Sequence, residues 1–216
     1  MIILIGGEKG GTGKTTLSTN LAIKLILEGQ DVLIVDTDKQ GSASAWSASR
    51  ENNSYQHVPC VQKFGKGIPE QVKDLADRYK YVIIDAGGRD SIELRASMMV
   101  ADILLIPIQA SQFDVWTLGN MDELVKQAKA FNTNLNAKIV INRASPNPVV
   151  SEIAEAKSII NDFDEIKLSD VVIRDRIAFR KAAKSGLAVF ELADKDHKAI
   201  SEINSLYNEI FKNEAS

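Results

Sequence analysis

The sequence predicts an α/β fold with a mostly parallel, twisted sheet and helices on both faces. Short continuous apolar runs alternate with longer helical patterns, and a glycine-rich segment follows the first run. Continuous apolar runs are typical of strands covered on both faces, and their alternation with helices predicts βαβ units. We expect a single domain over residues 1–216.

The predicted elements follow from the apolar patterns and their boundaries. Leu17, Leu21 and Leu25 recur at helical spacing, and Gly29 is placed to end that helix. The predicted strands are Ile2–Ile5, Val32–Val35, Tyr81–Ile84, Ile103–Ile108 and Lys138–Ile141. The predicted helices are Lys14–Glu28, Pro69–Arg78, Ile92–Val100, Val115–Phe131, Val150–Asn161 and Lys195–Lys212.

The composition is that of a globular protein outside membranes. Hydrophobic residues make up 44% and charged residues 25% of 216 residues, with a formal net charge of -3. The acidic balance argues against a globally basic nucleic-acid binder. Cys60 is the only cysteine, so an internal disulfide is excluded. No apolar run approaches the ~20 residues of a membrane span, and we expect a cytoplasmic protein.

The glycine-rich segment predicts a phosphate site. Lys9-Gly10-Gly11-Thr12-Gly13-Lys14-Thr15-Thr16 follows a predicted strand and opens a predicted helix, as a P-loop must. Glycines let the loop wrap closely around phosphate oxygens, and the helix start adds partial positive charge. Lys14 supplies a full charge, and the Thr15 hydroxyl is placed for Mg²⁺. The alternative is a flexible glycine-rich loop without a ligand, but such a loop would not need to lie between a buried strand and a helix. The sequence therefore predicts a single-domain P-loop fold that binds ATP and Mg²⁺.

Carboxylates follow two other predicted strands. Asp85 ends the strand that begins at Tyr81, and Asp36 and Asp38 follow the strand that begins at Val32. Ligands of open α/β sheets bind at this carboxyl edge. Asp85 is the expected Mg²⁺ ligand, and Asp38 is the candidate to position the attacking water or the Mg²⁺ shell. The alternative for Asp36 and Asp38 is turn chemistry, because Asp is common after strands.

These motifs resemble the ParA/MinD family of deviant Walker ATPases, most closely a small ParA-type partition protein. The resemblance is strongest over residues 1–88, and Lys9 matches the family's signature lysine, which explains why Glu8 replaces the usual first glycine. It implies that Lys9 contacts the phosphates of a partner subunit in an ATP-bound homodimer. It also assigns Asp38 to hydrolysis, Asp85 to the metal and Asn142 to adenine.

One departure concerns the loop after Asp85. The family often has Thr-Pro-Pro there, whereas this chain has Ala86-Gly87-Gly88. The two glycines could let backbone approach the γ-phosphate.

A basic stretch predicts a second surface. Arg176, Arg180 and Lys184 recur at i, i+4 and i+8, so a helix would align them in one stripe. Such a stripe can neutralise DNA phosphates without reading bases, and a dimer would double it. The alternatives are a solvated helix face and an intramolecular salt-bridge network.

The expected function is ATP-dependent partition. An ATP-bound dimer would bind nonspecific DNA, and a ParB-like centromere-binding or cargo adaptor protein would release it by stimulating hydrolysis. The protein would be nucleoid-associated when ATP-bound. The chain starts at its first strand, which argues against sequence-specific DNA binding through an N-terminal domain.

Other functions remain alternatives at this point. A MinD-like positioning ATPase would need a basic amphipathic tail, whereas the last helix carries Glu202 and Glu209, so we expect no membrane binding. A related ATPase that positions a protein cargo would share the same core. A metabolic P-loop enzyme would need an acceptor-substrate insertion. A non-hydrolysing scaffold would need a broken Lys14, Thr15 or Asp38, and all are intact.

Overall fold

The computed structural model describes residues 1–51, 55–109, 115–146, 160 and 163–212. Within these ranges the strands are β1 (Ile2–Ile5), β2 (Val32–Asp36), β3 (Cys60–Gln62), β4 (Tyr81–Asp85), β5 (Ile103–Ile108), β6 (Asn136–Ala144) and β7 (Ile166–Arg174). They form one seven-stranded sheet in the order β3-β2-β4-β1-β5-β6-β7. Every neighbouring pair is parallel, which confirms the predicted fold class.

The helices cover both faces of this sheet. They are α1 (Lys14–Leu27), α2 (Ser42–Glu51), α3 (Ile68–Ala76), α4 (Ile92–Met98), α5 (Val115–Lys129), α6 (Ile177–Lys184) and α7 (His197–Phe211). Asp196 caps α7 by accepting hydrogen bonds from the amides of Lys198 and Ala199, so this helix starts later than predicted. None of the helices in the described ranges is both long and apolar enough to cross a membrane.

All five predicted strands are present, and several elements were not predicted. The elements β3, β7 and α2 were not predicted, and α6 was considered only as the helix that would align the basic residues. The predicted helix Val150–Asn161 lies outside the described residues, apart from Ile160.

Side chains of β1 show how the core divides into two layers. Ile2 and Leu4 pack on one face with residues of α3, α4 and α5. Ile3 and Ile5 pack on the other face with α1, α6 and α7. Successive strand residues point to opposite faces, so a strand buried on both sides needs an unbroken apolar run.

The strand order places the ligand edge. β1 lies between β4 and β5, and Asp85 pairs in register with both Ile5 and Asp36. The loops that follow β1, β2 and β4 therefore leave the same carboxyl edge side by side. This is where ligands bind in open α/β sheets.

Candidate nucleotide site

The loop between β1 and α1 depends on glycine conformations. Gly11 and Gly13 have φ of 73° and 92°, which side chains with a Cβ rarely adopt. A Cβ at Gly13 would also lie 2.4 Å from the amide nitrogen of Asn142. Gly13 is the residue before α1, so the helix begins directly at Lys14. The loop and helix start thus form the anion site that the motif predicts.

Lys14 carries its charge into this loop. Its Nζ donates a hydrogen bond to the backbone carbonyl of Lys9 at 2.7 Å. Burial lowers the pKa of Lys14, while the nearby carboxylates of Asp85 and Asp38 act in the opposite direction. Both carboxylates are close enough to attract the Lys14 ammonium group electrostatically. The predicted cation and the predicted carboxylates therefore share one site.

Asp85 and Thr15 meet as the sequence predicts for a Mg²⁺ site. The Thr15 hydroxyl donates to Asp85 Oδ2 at 2.7 Å, and the Ser18 hydroxyl donates to Oδ1 at 2.8 Å. Burial raises the pKa of Asp85 to about 7, although both hydroxyl donors lower it. Hydroxyl and carboxylate oxygens are ligands that Mg²⁺ prefers. Ser18 was not predicted, and its only sequence signal is a position one turn after Thr15 on the same helix.

Asp36 and Asp38 have different roles. Asp36 is fully buried, and its Oδ2 accepts hydrogen bonds of 2.9 Å from both the amide and the hydroxyl of Ser44. It therefore anchors the start of α2, which fits the turn alternative. Asp38 is half-buried, accepts the amide of Gln40 at 3.0 Å, and faces Gly87. Its carboxylate lines the cleft where Lys14 lies.

Two adjoining clefts open at this edge. The first has a volume of about 660 Å³, which is ample for a nucleotide-sized ligand. The second, of about 310 Å³, shares Gly13, Thr16 and Arg143 with the first. The first cleft is lined by Gly10, Gly11, Gly13, Lys14, Thr15, Thr16, Asp38, Gln40, Ser42, Ala86, Gly88, Arg89 and Arg143. Most of the predicted phosphate and metal residues are therefore together.

Side chains from the ends of β5 and β6 hold the loop. Asn142 donates its amide to the carbonyl of Thr12 at 2.6 Å. Gln109 and Arg143 both donate to the carbonyl of Gly11, at 2.9 and 2.7 Å. Arg143 is a non-glycine residue with positive φ, 53°, a strained conformation that clusters at functional sites. Neither Gln109 nor Arg143 was predicted from the sequence. Asn142 also lines the smaller cleft, and its contact with adenine stays a prediction.

The basic stretch does not form the predicted stripe on one helix. Arg176 precedes α6 in an extended conformation, and its guanidinium pairs with Glu202 of α7 at 2.6 Å. This pairing raises the pKa of Arg176. Arg180 pairs with Asp175 at 2.9 Å. Arg176 and Arg180 are thus held in ion pairs, as the salt-bridge alternative predicted, and the assignment of this stretch to DNA stays a prediction.

Two lysines of α6 remain solvent-exposed. Lys181 and Lys184 make no ion pair with any residue in the described part of the chain. They lie on the last turn of the helix, beside the salt-bridged arginines. The exposed positive charge of this stretch therefore centres on these lysines, with Arg180 as an exposed but paired neighbour.

Fold and site together define a P-loop nucleotide-binding protein. Residues 3–189 match the CobQ/CobB/MinD/ParA nucleotide binding domain. The chain belongs to this family, and it is a ParA/MinD-type P-loop ATPase.

Similar proteins agree with this assignment. The chain is 27% identical over 209 residues to the maintenance of carboxysome distribution protein A of Halothiobacillus neapolitanus, covering 96% of this chain and 95% of that protein. An ATP complex of McdA from Cyanothece superposes with a TM-score of 0.72 at 19% identity, over 96% and 95% of the two chains. MinD from Pyrococcus horikoshii with Mg-ADP gives 0.72 at 17% identity, over 98% and 96%.

The site of this chain fits those ligands. Lys14 and the loop amides suit a triphosphate, while Thr15 and Asp85 offer oxygen ligands for a hard cation. ATP and Mg²⁺ are the cofactors of the site, as the sequence predicts.

Proposed function

We propose that this chain is an ATPase that positions a large cargo inside the cell through nucleotide-controlled assembly on DNA. The observation that carries the proposal is one cleft lined by Lys14, Thr15 and Asp38, with Asp85 bonded to the Thr15 hydroxyl. Lys14 also donates to the carbonyl of Lys9, which belongs to the loop crest, as we call residues 9–12 of the P-loop. The relative named for carboxysome distribution matches nearly the whole chain, which supports a protein assembly as cargo. Plasmid partition, predicted from the sequence, is the narrower alternative.

The proposed reaction transfers the terminal phosphoryl group of ATP to water. Asp38 positions the water, and Lys14 stabilises negative charge on the phosphate oxygens. Thr15 and Asp85 hold Mg²⁺, which neutralises phosphate charge when bound. Two other polar residues support the site without touching the reacting groups. Asn20 accepts the amide of Val189 and fixes the loop after α6, and Asp36 fixes the start of α2.

Assembly is proposed to depend on Lys9. A lysine at the crest of the loop can reach the phosphates of a partner subunit, which makes ATP part of the dimer interface. Binding that favours the dimer shifts the equilibrium by mass action, so hydrolysis acts as a timer for disassembly. A cargo adaptor that stimulates hydrolysis would then release the dimer.

The DNA-binding surface is proposed around the exposed lysines of α6. Lys181 and Lys184 can each neutralise a phosphate, whereas Arg176 is half-buried and occupied by Glu202. Arg180 is exposed and stays in the proposed surface, although its pairing with Asp175 reduces its net charge. Dimerisation would double the surface and make DNA affinity depend on ATP.

The test is binding of a random-sequence DNA duplex with ATP, with ADP and without nucleotide. We expect ATP-dependent binding that Lys181→Ala/Lys184→Ala loses at least tenfold, with a shallower salt dependence. The matched control is Lys73→Ala/Lys126→Ala, which removes two exposed lysines from helices on the opposite face of the sheet. Absence of DNA binding in every nucleotide state at low salt would overturn the proposed assembly on DNA. Co-sedimentation with anionic vesicles would then test the MinD-like alternative.

A further inference from the structure

The loop after β4 touches the crest of the P-loop through bare backbone. A Cβ built on Gly88 would lie 2.7 Å from both Cα and N of Gly10, and 2.9 Å from the carbonyl oxygen of Lys9. Real Cβ atoms do not approach other atoms this closely, and here the neighbours are backbone rather than flexible side chains. Any side chain at Gly88 must therefore displace the crest or the loop itself.

The neighbouring glycine lacks this constraint. A Cβ on Gly87 would lie 3.4 Å from the nearest atom, in the carboxyl group of Asp38, which is ordinary contact. Neither Gly87 nor Gly88 has a φ in the left-handed region, so both positions accept an alanine backbone. The two glycines thus differ in what they touch, not in the conformation they require.

Different contacts hold the two halves of the crest, residues 9–10 and residues 11–12. Side chains of Gln109, Arg143 and Asn142 hold the carbonyls of Gly11 and Thr12. The half at Lys9 and Gly10 meets the backbone of Gly88 instead. The carbonyl of Lys9 also accepts the hydrogen bond of Lys14, so its position affects both lysines of the loop.

We propose that Gly88 is a positioning residue: its close approach sets where the backbone of Lys9 and Gly10 lies in the crest. The same loop follows Asp85, the last residue of β4, so the contact joins the end of this strand to the segment that carries Lys9. A displaced crest would move Lys9 while leaving the nest formed by Gly11–Thr15 in place. The expected consequence for assembly rests on the role proposed for Lys9, but the position of the crest does not.

The first test is structural and uses nucleotide-free protein. In crystals of Gly88→Ala we expect the crest to move by about 0.7 Å or more, the step from a 2.7 Å to a 3.4 Å contact. We also expect the Lys14–Lys9 hydrogen bond to lengthen or break, whereas Gly87→Ala leaves both unchanged. In glycine-labelled wild-type protein, a nuclear Overhauser contact should join Gly88 Hα to the Gly10 amide. An unmoved crest in Gly88→Ala, or no such contact in the wild type, would overturn the proposal.

The second test is a double-mutant cycle with Lys9→Ala. We expect Gly88→Ala to weaken association with a non-hydrolysable ATP analogue at least tenfold, as Lys9→Ala does. The double variant should be no worse than either single one, since coupled residues are not additive. Additive losses would contradict the link to Lys9. A wild type that does not associate, or a neutral Lys9→Ala, would instead contradict the proposed function and leave the structural test decisive for Gly88.

Discussion

The Ser18 hydroxyl lies 2.8 Å from Asp85 Oδ1, opposite the Thr15 hydroxyl at 2.7 Å from Oδ2. Two residues of one helix thus cap both oxygens of a single carboxylate. The pKa of Asp85 still rises to about 7, because its complete burial outweighs the two donors. Near neutral pH this carboxyl group therefore holds its proton more strongly than an exposed aspartate does.

Magnesium binding should release a proton from Asp85. A metal ligand must be deprotonated, so acid competes with Mg²⁺ below a pKa of about 7. We expect Mg²⁺-dependent nucleotide affinity to be constant above about pH 8 and to fall towards about tenfold per pH unit below about pH 6. Calorimetry in buffers of different ionisation enthalpy measures both the affinity and the released protons. A Mg²⁺ dependence that does not change between pH 5.5 and 8 would contradict this role of Asp85.

The same shift predicts how stability depends on pH. A carboxyl group whose pKa is raised on folding favours the folded state where it is protonated. The free energy of unfolding should therefore decrease as pH rises from about 4 to about 7, by on the order of 4 kcal/mol in the contribution of Asp85. Asp85→Asn should remove this decrease, because an amide does not titrate. One of the two hydroxyls can still donate to the amide oxygen while the other accepts from the amide nitrogen. Urea unfolding of both proteins across this pH range gives the difference, and parallel curves would contradict the prediction.

The sequence predicted those elements whose signal is local. Continuous apolar runs predicted β1 and β4, because a strand buried on both faces needs them. The edge strand β7 was missed since Ser169 and Asp170 interrupt its apolar pattern. The helix α2 was missed because it contains mostly serine and alanine, and only Ala43 and Trp46 mark its buried apolar face. Both depend on tertiary contacts rather than on their own pattern.

The same distinction applies to the site. The pairing of Thr15 with Asp85 was predictable, because the motif and the sheet edge together fix it. Gln109 and Arg143 act through a loop about 100 residues or more away in sequence, which no local pattern reveals. Arg176 was assigned to DNA from its spacing, the local positive charge and the family resemblance. Its partner Glu202 comes from a helix 26 residues further along, and only the fold brings them together.

Asn142 should affect both loop stability and nucleotide choice. Its amide nitrogen donates to the carbonyl of Thr12, and the residue lines the smaller cleft, so we expect its amide oxygen to serve as an acceptor for the base. An acceptor there favours the amino group of adenine over the carbonyl of guanine. We expect Asn142→Ala to weaken ATP and GTP binding together by several-fold, and ATP by more. Competition assays with both nucleotides measure the ratio. An unchanged ratio would assign Asn142 to loop support alone.

Arg50 joins α2 to the loop that follows α6. Its side chain is fully buried and pairs with Glu191 at 2.6 Å. The guanidinium also donates to the carbonyls of Gly186 and Gln56, at 2.7 and 2.8 Å. Trp46 of the same helix donates to the carbonyl of Leu187 at 3.2 Å. These contacts fix the end of α2 whose beginning is anchored by Asp36.

Removing Arg50 should be among the most destabilising single changes in this protein. Arg50→Met leaves Glu191 partly buried without its partner, and breaking such a pair costs about 3–5 kcal/mol. Arg50→Met/Glu191→Leu should recover part of the loss, because no unpaired charge remains. Arg180→Ala breaks an exposed pair with Asp175 and should cost less than about 1 kcal/mol. Urea unfolding of the four proteins decides the order, and equal losses for Arg50→Met and Arg180→Ala would contradict the buried pair's role.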